Sequence, residues 1–141
     1  MMAAMNAPHL EMKLGWVIGY VEDPPACSNF YQQTFGLRGE FAAPDGSYAQ
    51  LDTGPTKLAF ASYALGEQNF ENGVRRADAD GGPPPNMEIV LVADDVDAAY
   101  RRALDAGCAA LAPPVDKPHG QRVAYVRDPF GNLIELATPM D

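Results

Sequence analysis

Basic residues are scarce in this chain: ten lysines and arginines stand against nineteen aspartates and glutamates, a net charge of −9. They are scattered and form no basic stripe, which argues against nucleic acid as a partner. The acidity mostly favours solubility and would also attract a cationic ligand. Cysteine is limited to Cys27 and Cys108. Both fall inside predicted helices, and a reduced, cytoplasmic state is the simplest reading. No run approaches the ~20 apolar residues that a membrane-spanning helix needs. Met1 to Met12 lacks the basic-then-apolar order of a secretory signal, and residues 1–11 read as a ragged leader, with no role for His9. There is no Cys/His zinc spacing, no glycine-rich phosphate loop between strand and helix, and no nucleophile elbow.

What is present points to one folded domain. The chain has 141 residues, 47% of them hydrophobic, with aromatics spread throughout, enough for a single sizeable core. It also repeats itself. Gly15–Asp23, an apolar strand ending in acidic residues, recurs as Met87–Asp95. Each acidic end opens an amphipathic helix that closes at a glycine, Gly36 and Gly107. Asp23-Pro24-Pro25 is a cap followed by prolines at the first helical positions. Val96, Tyr100, Ala103 and Leu104 recur at the spacing of one buried helix face. Strands are predicted at 14–21, 38–42, 47–51 and 56–61, then at 87–92, 109–111, 122–127 and 132–137. Both halves thus read βαβββ, module 1 over 12–64 and module 2 over 87–139. Between them, residues 65–86 form a connection long enough to be a mobile linker or a functional loop. Arg75 and Arg76 lie in it, either as surface charges or as cations on a lid over a ligand.

The paired units, together with Tyr20-Val21-Glu22-Asp23, Phe30-Tyr31 and Phe35-Gly36-Leu37, resemble the vicinal-oxygen-chelate superfamily. That superfamily includes glyoxalase I, bleomycin-resistance proteins and extradiol dioxygenases. The most specific segment is Val126-Arg127-Asp128-Pro129-Phe130-Gly131-Asn132-Leu133-Ile134-Glu135-Leu136, which resembles the superfamily's final hairpin. The resemblance implies an α+β fold: two βαβββ modules with pseudo-twofold symmetry, whose curled mixed sheets form a cup. It also implies a homodimer. In metal-dependent members, donors come from the first and last strands of each module. The matching positions here are Trp16, Ala59, Glu88 and Glu135. An indole N–H only donates hydrogen bonds and alanine has no donor atom, so Glu88 and Glu135 are the only candidate metal ligands. No cofactor is expected, although two carboxylates and water could hold a divalent ion weakly.

Unpaired carboxylates on an apolar strand face are costly to bury. Glu88 and Glu135 therefore have three open readings: satisfied by neighbouring donors, a general acid and base in a shared cavity, or partners of a cationic group on a ligand. Trp16 is either core or a stacking surface inside the cup, with Tyr20, Tyr48, Phe60 and Tyr125 as further lining candidates. His119 and Arg122, before and at the start of a late strand, are candidates for the cup's rim. The expected function is binding of a small, planar or aromatic organic molecule. The alternatives are a lyase, isomerase or dioxygenase using Glu88 and Glu135, and a structural or regulatory module.

Overall fold

The computed structural model describes residues 10–140; His9 and most of the leader lie outside it. The order is β1 (Trp16–Val21), α1 (Pro24–Phe35), β2 (Arg38–Ala42), β3 (Tyr48–Asp52), β4 (Lys57–Ser62) and a short α2 (Tyr63–Asn69). The second unit follows as β5 (Glu88–Val92), α3 (Val96–Asp105), β6 (Ala109–Asp116), β7 (Arg122–Arg127) and β8 (Leu133–Ala137). Local chemistry sets the helix ends. The Asp23 carboxylate accepts the Ala26 N–H at 3.2 Å, and Pro24 and Pro25 occupy positions where no N–H is needed. Asp95 repeats this cap on Ala98 at 3.0 Å. Gly36, at φ 73°, closes α1 in the left-handed conformation.

Three details differ from the sequence reading. The connection does not begin at residue 65, because the Ser62 hydroxyl accepts the Leu65 N–H at 3.1 Å and caps α2. Strand β6 runs on to Asp116 rather than ending at Leu111. Cys108 lies outside any helix: α3 ends at Asp105, and Gly107 adopts φ 112°, so the chain has already turned. Cys27 and Cys108 are both buried and free. Burial pushes the Cys108 thiol up to about 12 and raises Cys27 further.

The sheets have the same topology, β1-β4-β3-β2 and β5-β8-β7-β6, with β1/β4 and β5/β8 parallel and the other pairs antiparallel. Helix α1 packs on its own sheet, α3 on the other, and the two helices pack against each other. One apolar core, including Tyr31, Phe60, Val126 and Ile134, runs through both units. Among the described residues no strand of one sheet lies beside a strand of the other. The helices therefore separate the sheets, and the second face of each sheet is open. Within one chain the cup is not closed. Trp16 and Val90, on the two open faces, are 57% and 47% exposed.

Asp128, in the turn between β7 and β8, ties the units together. It is 1% exposed and accepts the Tyr31 hydroxyl of α1 at 2.5 Å and the Asn132 side-chain amide at 2.8 Å. It also accepts the backbone N–H groups of Phe130 and Asn132 at 2.8 and 2.9 Å. The connection is fastened from both sides. Arg76 pairs with Glu22 at 2.7 Å and lies 4.2 Å from the centre of the Tyr63 ring. Arg127, only 3% exposed, donates to the carbonyls of Asp78, Gly81 and Gly82. Gly131, at φ 97°, lets Ala77 approach so closely that a Cβ there would stand 2.8 Å from the Ala77 methyl.

Candidate functional site

Side chains alternate across a strand, so the register decides which residues share an open face. In the first sheet Trp16 pairs with Lys57, and Ile18, Ala59 and Gln50 form the next row. In the second sheet Glu88 pairs with Leu133, and Val90, Glu135 and Tyr125 form the next row. Trp16 therefore corresponds to Glu88, Ala59 to Glu135 and Gln50 to Tyr125. The same positions carry different chemistry in the two halves.

On the second sheet, Tyr125 donates its hydroxyl to Glu135 at 3.1 Å. Glu88 is hydrogen-bonded to Glu135, and this, with some desolvation and the like charge, raises its pKa to about 7. Desolvation, aided by Glu135, also raises the Tyr125 hydroxyl. Val90, Val92 and Leu133 give the surroundings an apolar character. Two carboxylates and a phenol arranged in this way can hold or release one proton near neutral pH.

On the first sheet, the Trp16 indole donates to the Gln50 side-chain oxygen at 2.9 Å. Tyr48 donates to the same oxygen at 2.6 Å and tilts against Phe41, with ring centres 6.1 Å apart. Lys57 is held by Asp52 at 2.9 Å and Glu40 at 3.2 Å. Between the units, a hollow of about 390 Å³ is lined by strand β5 together with Val17, Leu58 and Lys57. A separate hollow of about 780 Å³ lies within the connection, from Arg75 to Asn86.

The residue pattern and the fold converge here. A family model described as the Glyoxalase/Bleomycin resistance protein/Dioxygenase superfamily matches residues 13–136. The chain belongs to this superfamily. It is 29% identical over 126 residues to the anthracycline biosynthesis protein DauV of Streptomyces sp. (strain C5), covering 87% of this chain but 41% of that protein. The chain thus spans about two fifths of that relative's length. It is also 29% identical over 126 residues to the uncharacterized protein YraH of Bacillus subtilis, covering 89% of this chain and 97% of YraH. The crystal structure of a glyoxalase/bleomycin resistance protein/dioxygenase family enzyme from Burkholderia phytofirmans has the same fold. The TM-score is 0.76 at 21% identity, over 92% of this chain and all of that one.

Many members of such a superfamily hold a metal, and the residues here can be tested against one. Ala59 offers no donor, and the Trp16 N–H is already bonded to Gln50. Among the described residues no three His, Cys, Asp or Glu side chains converge. Glu88, Glu135 and the phenol of Tyr125 do not make a four-donor metal site.

The other sequence candidates are dispersed. Arg122 turns to the helical side of its sheet, pairing with Asp97 at 3.1 Å and Asp116 at 3.1 Å. His119 is exposed in the β6–β7 turn, 2.7 Å from the Gln121 side-chain oxygen. Arg75 is exposed in the connection. None of the three joins Glu88 and Glu135. Of the aromatic candidates, Tyr48 and Tyr125 lie on the open faces, Phe60 is buried in the core, and Tyr20 meets α2 at Gly66. Gln50, Glu40 and Arg127 were missed by the sequence reading. The alternation Tyr48, Gln50, Asp52 within β3 was the signal that could have found Gln50.

Proposed function

We propose that the protein binds a small, flat organic molecule between the aromatic open face of the first sheet and the carboxylate pair of the second. The observation that carries this reading is the exposed Trp16 ring, fixed by Gln50 beside Tyr48 and Phe41. Exposed aromatic surface of this kind marks contact sites. The likeness to a protein named for the biosynthesis of anthracyclines, which are polycyclic aromatics, supports it.

In one chain no strand of the first open face lies beside a strand of the second. A second copy that brings its second sheet opposite the first would let one ligand touch Trp16 and the carboxylate pair together, so the proposal includes a homodimer. Doxorubicin, an anthracycline, serves as a probe. Saturable quenching of the tryptophan fluorescence is expected, with a rise in melting temperature. Sedimentation velocity should give twice the chain mass. A titration that leaves both fluorescence and melting temperature unchanged removes the ligand reading, and a monomer at micromolar concentration removes the dimer.

A second reading, proton-transfer catalysis, is favoured by one observation: the Glu88 carboxyl, raised to about 7, is poised to exchange a proton near neutral pH. Here Glu88 and Glu135 would pass a proton to or from the bound molecule, with Tyr125 orienting Glu135.

A further inference from the structure

The first sheet's open face holds a hydrogen-bonded net with Gln50 at its centre. The Gln50 oxygen accepts from both Trp16 and Tyr48, and its amide nitrogen donates to Glu40 at 2.8 Å. Glu40 reaches this face at a bulge, where the register of β2 on β3 shifts between Gly39 and Phe41. Its second carboxylate oxygen accepts from Lys57 at 3.2 Å.

This net has one consistent orientation. An amide oxygen has two lone pairs, and here two donors fill them. If the amide were flipped, its NH2 group would face the indole N–H, and its oxygen would face a carboxylate. Glu40 thus sets the direction of Gln50, and Gln50 sets the plane of Trp16. Neither the indole nor the Tyr48 phenol keeps a free proton to offer a ligand.

We infer that Gln50 is a positioning residue: it holds Trp16 as a stacking surface and removes hydrogen-bond donation from that surface. This rests on the ligand reading above and narrows it. Recognition of the ligand's polar group falls to Glu88, Glu135 and Tyr125, so the substrate class is a flat ring system with an N–H or O–H group at one edge. A ligand that depends on donation from the Trp16 indole or the Tyr48 phenol is disfavoured.

The chain has a single tryptophan, so its indole N–H gives one identifiable proton–nitrogen NMR resonance. In Gln50→Leu that proton should exchange with water several-fold faster, and doxorubicin affinity should fall about fivefold, the value of one hydrogen bond. The paired change Gln50→Glu with Glu40→Gln keeps the charge and reverses the donor. It should restore both slow exchange and affinity. Gln50→Met, similar in length, replaces the leucine variant if a melt shows that variant unfolded. Unchanged indole exchange on losing the amide overturns the inference, as does failure of the paired change to restore it. If doxorubicin does not bind the unaltered protein, the ligand reading fails, while the indole resonance still decides whether Gln50 positions Trp16.

Discussion

Asp128→Ala should cost about 3–5 kcal/mol of folding stability, because several buried donors lose their shared acceptor at once. The size follows from what is left behind. Tyr31 loses its acceptor, as do the backbone N–H groups of Phe130 and Asn132. Each stranded buried group costs about 1–3 kcal/mol before the site relaxes. Burial pushes the Asp128 carboxyl up, and the hydrogen bonds from Tyr31 and Asn132 pull it back. The residue survives in the interior because donors surround it. Asp128→Asn keeps an oxygen for the turn and should cost less than half as much. Tyr31→Phe should cost about 1–3 kcal/mol, and the double variant less than the sum, because both remove the same bond. Urea denaturation followed by circular dichroism measures all of these. A loss below about 1 kcal/mol for Asp128→Ala would mean the turn holds without its hub.

Removing the second carboxylate should bring the Glu88 pKa down from about 7 towards the ordinary 4.5. The hydrogen bond to Glu135 is the main cause of the elevation, with desolvation and like charge behind it. Glu135→Gln removes the charge while nearly conserving shape. Carbon-13 NMR of the glutamate carboxyls reads the midpoint directly. A midpoint still near 7 in the variant would assign the elevation to desolvation and weaken the proton-exchange reading. The linkage has a definite sign. Folded Glu88 keeps a proton that the unfolded chain has released between pH 4.5 and about 7. The pair's contribution to stability is therefore complete below pH 4.5, declines as pH rises through that window, and is gone above about 7. Glu135→Gln should flatten this part of the stability profile.

Much of the fold was legible because its signals are local. The caps at Asp23 and Asp95, the prolines after the first of them and the glycine at 36 act within one helical turn. The recurrence of strand, cap and helix needed no distant contact to be recognised. Helix α2 was not read from the sequence, being short and joined directly to a strand through Ser62. The candidate site was legible only in part. Glu88, Glu135 and Trp16 were reached through the four strand positions that the resemblance matches, and the cost of burying carboxylates on an apolar strand face singled out the two glutamates. His119 and Arg122 were placed at the rim by the resemblance, and side-chain direction then carried Arg122 to the helical side. Gln50 was invisible as a functional residue because its importance lies in two donors, one of them contributed by a strand 34 positions away in sequence.

The sequence by itself determined the order of the two βαβββ units, the duplication, the superfamily and the donor chemistry available at four matching strand positions. These depend on residue types and short spacings, which act on the chain before it folds. Only the tertiary structure decided that Glu88, Glu135 and Tyr125 meet, that Gln50 holds Trp16, and that no strand of one sheet lies beside a strand of the other. Those outcomes depend on strand register and on the packing of α1 against α3. A one-residue change of register would turn every side chain of a strand to the other face, and residue identity alone does not set register.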